Sequence, residues 1–289
     1  MAKILVTGST GRLGGAVLRS LVEKVPASSL VALARNARRT RTLTALGIEV
    51  RYGDYTDYKS LVSAFAGVDK IYLVSSNVFS DRVSEHKNVI DAARRAGVRH
   101  LIYTSIQRCN NDQHAKGGLT ESDIATEALL KSSSLDYTIV SHPLYADELP
   151  TFLGDNATNR DFTAPAGQGC IALASIDELA EAGAVLLSQE GHQNRSYLLN
   201  SGQAWSFHEI AQTLSRLTGN AISYQPISAE TFIVGRESQG WPPMITDVVS
   251  GWFAAIEKGT FNETSNMLEE LLGRKPMGLE IILKDAFDL

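Results

Sequence analysis

The chain has 289 residues, 44% of them hydrophobic and 20% charged, a balance that buries a core and excludes a disordered or low-complexity protein. A formal net charge of −5 at pH 7 argues against a nucleic-acid partner, which calls for a basic face. Only Cys109 and Cys170 are present, without CxxC or metal-ligand spacing, so a reducing compartment and no metal site are expected.

Lys3–Thr7 is an apolar run broken at once by Gly8, which reads as a strand and is too short for a signal-peptide core. Further strand-like runs follow at Leu30–Ala34, Ile48–Arg51, Lys70–Val74, His100–Thr104 and Tyr137–Ser141. Between them lie helix-like segments at Leu13–Glu23, Ala37–Leu46, Lys59–Phe65, Val83–Ala96 and Thr120–Lys131. Strands alternating with helices predict an α/β fold: a doubly wound parallel Rossmann sheet with ligands at the carboxyl ends of its strands. After about residue 145 the pattern loosens. Residues 147–169 read as a loop-dominated excursion, helices return at Ile176–Leu187 and Phe207–Leu217, and Ser196–Leu199 and Ala221–Pro226 resemble strands. The tail from Asp247 to Leu289 is mostly helical in pattern. The expected division is 1–145 for the dinucleotide-binding domain and 146–289 for a smaller α/β substrate-covering part, some of whose elements return to the main sheet. No stretch approaches the ~18 apolar residues of a membrane span, so a cytoplasmic protein is expected.

The sharpest motif is Gly8-Ser9-Thr10-Gly11-Arg12-Leu13-Gly14-Gly15, directly after the first strand and opening the first helix. Gly8 permits the tight turn, Gly11 lets backbone approach a pyrophosphate, and Gly14 lets helix and strand pack closely. The helix start then offers backbone N–H groups and a positive dipole end, with Thr10, Arg12 and Leu13 among the expected contacts. At the end of the second strand an NAD site places a carboxylate on the ribose hydroxyl; here stand Ala34-Arg35-Asn36. A guanidinium there grips a 2′-phosphate, so Arg35, with Arg12 from the glycine turn, points to NADP(H). Arg38, Arg39 and Arg41 read as a solvated helix face. Asp54, after the third strand, is either an acceptor for the adenine amino group or a plain turn residue.

Ser75 and Ser76 follow the fourth strand and Thr104-Ser105 the fifth, which puts Ser75, Ser76 and Thr104 near the nicotinamide half of a bound dinucleotide. No Tyr-x-x-x-Lys pair is present: Tyr103, Tyr137 and Tyr145 are followed four residues on by Gln107, Ser141 and Leu149. His142 and Tyr145 follow the sixth strand, where a substrate enters, and are the catalytic candidates; a histidine of pKa ~6.5 donates a proton near neutrality. Phe79 and Tyr145 offer an aromatic wall for a planar substrate, or are plain core. His86, His100 and Cys109 receive no functional role.

Val6 to Gly14, Ala34-Arg35-Asn36, Gly53-Asp54-Tyr55, His86-x-Asn88-Val89, Tyr103-Thr104-Ser105, Thr126-Glu127 and Leu135-Asp136-Tyr137-Thr138 together resemble the NmrA-like atypical short-chain dehydrogenases. Within that family they are most similar to its quinone-reductase and triphenylmethane-dye-reductase branch. The resemblance implies flavin-free hydride transfer from NADPH to a quinone or similar conjugated acceptor, already electrophilic enough to need no strong acid. It also implies a homodimer. Where relatives carry an Arg-Asn pair this chain has Ser141-His142-Pro143, and Asp123 and Ala128 stand where a histidine and a lysine are usual. Two other readings share these residues: an NADP(H) sensor without turnover, and an enzyme specialised for an aromatic metabolite.

Overall fold

The structure, a computed structural model, describes residues 2–76, 81–108, 120–154 and 156–289; Phe79 and Cys109 lie outside the described residues. The first half runs β1 (Ile4–Val6), α1 (Arg12–Val22), β2 (Leu30–Ala34), α2 (Arg41–Ala45), β3 (Glu49–Tyr52), α3 (Tyr58–Ala64), β4 (Lys70–Leu73), α4 (Arg82–Ala96), β5 (His100–Ile106), α5 (Glu121–Lys131) and β6 (Asp136–His142). The expected alternation is therefore present. The second helix is shorter than its pattern: a 3-10 turn over Ala37–Arg39 precedes α2, and only Leu43 of α2 is buried. An arginine-rich segment with one apolar anchor has little to hold a longer helix.

The second half runs β7 (Leu144–Tyr145), α6 (Leu149–Leu153), β8 (Phe162–Ala164), β9 (Cys170–Ala174), α7 (Ile176–Ser188), β10 (Arg195–Leu198), β11 (Ala204–Ser206), α8 (Phe207–Thr218), β12 (Tyr224–Pro226), α9 (Ala229–Ser238), α10 (Pro243–Glu257), α11 (Met267–Leu272) and α12 (Leu279–Phe287). The stretch expected to be loop-dominated thus carries α6 and β8, elements too short to show a period.

The chain divides into two compact units. One holds residues 1–106, 120–141 and 176–197, so α7 and most of β10 return to the N-terminal half. Among the described residues the main sheet has the order β10-β6-β5-β4-β1-β2-β3. β1 pairs in parallel with β2 and β4, β2 with β3, and β4 with β5. Strand order reverses between β1 and β4, the switch point where doubly wound sheets open a ligand crevice. β1, β2 and β4 are buried along their whole length, as strands covered on both faces are. Side chains alternate between the faces. Leu5, Ile71 and Leu73 join Leu61, Val89 and Ile90 of α3 and α4 in one core. On the other face α7 packs against α1, and a Cβ built on Gly183 of α7 would lie 2.9 Å from the Tyr72 hydroxyl of β4. Glycine at 183 is what lets α7 approach the sheet this closely.

The other unit, built from 142–175 and 198–289 with Gln107 and Arg108, carries two small sheets among the described residues. β9 pairs in parallel with β7 and antiparallel to β11, and β8 pairs in parallel with β12. Phe207 of α8 stacks near Tyr224 and Phe253, and Phe253 also meets Phe152 and Phe232. α8 starts on a capping box in which Ser206 and Glu209 satisfy each other's backbone N–H groups. Among the described residues no helix is long and apolar enough to cross a membrane.

Candidate active site

The glycine turn leaves β1 through Gly8, whose φ of +58° is open to glycine at little cost. Gly11 N–H donates to Gly8 O at 2.9 Å, closing the turn, and Ser9 Oγ donates to Leu33 O at 2.7 Å, tying it to β2. Gly14 is packed against the turn's own backbone: a Cβ there would lie 2.4 Å from Gly8 O and 2.7 Å from Thr7 O. Gly11 caps α1 without a side-chain bond, and the first turn of α1 carries no acidic residue. The first N–H groups of a helix lack intrahelical acceptors, so this end is electropositive and open to an anion. Leu13 is buried and offers a ligand only its backbone, whereas Arg12 is exposed.

The expected cofactor residues of this unit gather where β1 to β5 end. Gly53 N–H donates to Ala34 O, which sets Asp54 beside Arg35. Arg35 is exposed and makes no hydrogen bond or ion pair among the described residues. Asp54 turns one carboxylate oxygen, Oδ1, into its own loop, accepting from Thr56 N–H at 2.9 Å and Thr56 Oγ1 at 2.8 Å. Those bonds, the backbone one foremost, hold its carboxyl below the ordinary carboxylate value. The turn reading of Asp54 is thus visible directly, and Oδ2 stays outside that turn. Thr104 is buried, with Oγ1 donating to Leu73 O at 3.3 Å and accepting Ser75 N–H at 2.8 Å. Its hydroxyl stitches β5 to the exit of β4 and acts on a ligand only through Ser75.

Behind that exit lies a polar layer that the sequence reading passed over. His86 of α4 is fully buried; Nε2 accepts Ser76 N–H at 2.9 Å and Nδ1 lies 3.0 Å from Thr126 Oγ1 of α5. The signal was available: His86 shares the i, i+3, i+4, i+7 face of Val89, Ile90 and Ala93, and a polar group on a core face needs a partner. Asp123, one of the departures from the family pattern, is buried under α4. It accepts from the Tyr103 hydroxyl at 2.8 Å and pairs with Arg82 Nη1 at 3.4 Å. Burial, then the Asp123 charge, raise the Tyr103 phenol well above its ordinary value, so it stays protonated.

In the other unit, His142 ends β6 with a side chain buried and Nδ1 3.3 Å from the Tyr145 hydroxyl. The rings meet edge to face with centroids 6.0 Å apart, and Nε2 is buried without a hydrogen-bond partner among the described residues. Burial lowers the His142 pKa to about 3, so the imidazole is neutral at physiological pH. This corrects the expectation of an acid titrating near neutrality: an uncompensated apolar setting disfavours the imidazolium. What remains is a neutral hydrogen-bonding ring with one nitrogen unspent.

The buried histidines give the fold a pH signature. Desolvation by burial lowers His86 to about 3 and His100 to about 4, alongside His142. The unfolded chain protonates these groups below its own pKa of ~6.5, while the folded chain does not until pH falls toward ~4. The unfolded state therefore binds more protons in that window, and stability drops as pH falls through it. Each histidine contributes roughly 1 kcal/mol per pH unit, so thermal melts followed by circular dichroism should collapse near pH ~5. A flat melting temperature across the window would show the imidazoles to be hydrated.

Comparison with known proteins gives this geometry its kin. The family model described as NmrA-like matches residues 1–237. Quinone oxidoreductase 2 of Escherichia coli is 34% identical over 286 residues, covering 99% of both chains. The crystal structure of Citrobacter sp. triphenylmethane reductase complexed with NADP(H) superposes with a TM-score of 0.90 at 35% identity, covering 98% of this chain and 99% of that one. That of the E. coli NADPH-dependent quinone oxidoreductase complexed with NADPH does so with a TM-score of 0.90 at 34% identity and the same coverage. A family match over most of the chain and a full-length relative at this identity agree with the glycine turn and the doubly wound sheet: the chain belongs to the NmrA-like family.

Proposed function

We propose that this NADPH-dependent oxidoreductase transfers hydride to a quinone or a similarly conjugated aromatic acceptor without a flavin. The observation that carries the cofactor half is Arg35, an unspent guanidinium at the end of β2 where an NAD site has a carboxylate. It is joined by an α1 N-terminus free of acidic residues behind a turn that requires glycine at Gly8 and Gly14. In this reading Gly8, Thr10, Gly11, Arg12, Leu13 and Gly14 hold the pyrophosphate, Arg12 and Arg35 the 2′-phosphate, and Asp54 the adenine edge through Oδ2. Ser75 and Ser76, with Thr104 behind them, hold the nicotinamide half.

Bound NADPH supplies the hydride; the protein binds, orients and excludes water. His142 and Tyr145 take the acceptor. A neutral His142 does not deliver a proton as an imidazolium; its Nδ1 lies by the Tyr145 hydroxyl and orients it, and Tyr145 contributes an aromatic face and a hydroxyl. The reduced acceptor takes one proton from solvent, so a quinone, a hydride and one proton give hydroquinone, with NADPH leaving as NADP+. Support for an aromatic acceptor comes from the relatives, whose names specify quinone and triphenylmethane substrates.

The test is single-turnover NADPH absorbance on mixing NADPH-loaded protein with a simple naphthoquinone against a protein-free control. Stoichiometric oxidation far above the control is expected. Tight NADPH binding without acceptor-dependent oxidation by quinones or cationic dyes would overturn the reductase reading in favour of a sensor.

A further inference from the structure

We infer that His86 is a positioning residue for the cofactor: through its bond to Ser76 N–H it fixes the peptide at the exit of β4 on which the nicotinamide half rests. The inference depends on the dinucleotide reading above and assigns to α4 a part in it.

The imidazole's protonation pattern follows from its neighbours. Thr126 Oγ1 has one hydrogen, which it donates to Ser122 O at 2.8 Å, so toward His86 it acts as acceptor. Nδ1 therefore carries the proton, and Nε2 presents the lone pair that Ser76 N–H, an obligate donor, requires. The result is a directed chain from Ser76 through His86 and Thr126 to the first turn of α5, with every polar atom of the ring used. One helix turn supplies a second brace, as Asn88 Nδ2 donates to Tyr55 O at 2.9 Å in the loop after β3.

What the chain holds is a ligand-facing edge. Ser75 N–H is pinned by Thr104 and Ser76 N–H by His86, so both donors of this dipeptide point into the protein. The peptide between them is trans, as cis bonds do not occur among the described residues, and its carbonyl points opposite to Ser76 N–H. Ser75 O thus faces away from α4. The same segment abuts the phosphate turn: a Cβ at Gly8 would meet the Val74 side chain at 3.1 Å, and Val74 N–H donates to Thr7 Oγ1 at 3.0 Å. A carbonyl presented there accepts from a donor such as a ribose hydroxyl. Were the Ser76 peptide released, that acceptor would rotate away while the glycine turn stayed in place.

The two amide variants separate the bonds. Glutamine places its amide near Nε2 and can accept from Ser76 N–H; asparagine reaches only the Nδ1 position and can serve only Thr126. Each loses one bond, so comparable melting temperatures are expected. Fluorescence titration with NADPH should find His86→Asn weakened about tenfold and His86→Gln within about threefold of the wild type. Equal losses in the two, or none in either, would overturn the inference. Nitrogen NMR of histidine-labelled wild type keeps it testable should His86→Asn fail to fold. A protonated Nδ1 and a bare, hydrogen-bonded Nε2 are expected, with Nε2 and the Ser76 amide shifting on NADPH addition. An Nε2–H form, or no shift on saturation, overturns it. Wild-type protein that binds no NADPH at all would overturn the cofactor reading itself, which is a different result from a bound cofactor indifferent to His86.

Discussion

Gly14→Ala is expected to abolish NADPH binding and to lower stability together, whereas Gly11→Val abolishes binding in a protein that melts almost normally. The contrast comes from where each missing side chain would go. At Gly14 a Cβ would sit 2.4 Å from Gly8 O and 2.7 Å from the carbonyl carbon of Gly8, both backbone atoms of the turn. No rotamer relieves such a contact; the first turn of α1 must move off β1 by on the order of 1 Å, which overpacking data value at ~1–3 kcal/mol. The N–H groups that start α1 move with it, and a pyrophosphate site does not survive that displacement. Gly11 differs. Its φ of −89° is ordinary for any residue, and its Cβ would meet only Gly8 O, at 3.2 Å. The fold asks less of glycine there than at Gly14, and in the proposed reading the missing side chain leaves room for the pyrophosphate, which a valine would fill. Calorimetric melts paired with NADPH titration decide the matter. Binding that survives Gly11→Val would remove the pyrophosphate assignment, and Gly14→Ala melting like the wild type would remove the packing argument.

How far the site was legible follows from the range of the interactions that build it. The glycine turn could be read because its constraints are local: a strand, three glycines and a helix start within about a dozen residues carry the geometry. Arg35 was equally plain, since its place depends only on where β2 ends. Which strand of the second half joins the main sheet, β10 beside β6, was not legible, because edge pairing is a long-range choice. Thr104 shows the limit of arguing from position. It lies inside β5 and not after it, since the strand runs on to Ile106, and its hydroxyl is used by Leu73 O and Ser75 N–H, a commitment that only three-dimensional neighbours reveal. His142 shows the same limit in its electrostatics: a histidine directly after the expected strand Tyr137–Ser141 reads as a titrating loop group until its burial at the end of β6 is known. Asp123, read as a departure from the family, proves to be a buried carboxylate matched by Arg82 and Tyr103, a compensation spread over α4, α5 and β5.

Arg35→Ala is expected to weaken NADPH binding by roughly 30- to 150-fold while leaving NADH within about threefold, because charge-assisted bonds to one phosphate account for ~2–3 kcal/mol and NADH has no phosphate to lose. Arg35 suits the role because nothing else uses it: it is exposed, follows the last residue of β2, and forms no ion pair among the described residues. Its field already reaches Asp54, adding in a minor way to that carboxylate's lowered pKa, so a phosphate arriving between α1 and the β2 exit would meet a guanidinium and not a bare carboxylate. Arg38 is the natural control. It lies three residues on, in the 3-10 turn whose start Asn36 caps by accepting Arg38 N–H at 3.1 Å, and is exposed like Arg35. If a diffuse basic surface attracted the cofactor, Arg38→Ala would cost as much as Arg35→Ala and added salt would erase both differences. A bidentate grip predicts a large loss at Arg35 and almost none at Arg38, with Arg35→Lys recovering only part because an ammonium cannot fork across two phosphate oxygens. Isothermal titration of both nucleotides against the four proteins measures all of this. Equal loss of NADPH and NADH affinity in Arg35→Ala would mean that the arginine serves the pyrophosphate or the fold, and the preference for NADP(H) would have to come from Arg12 alone.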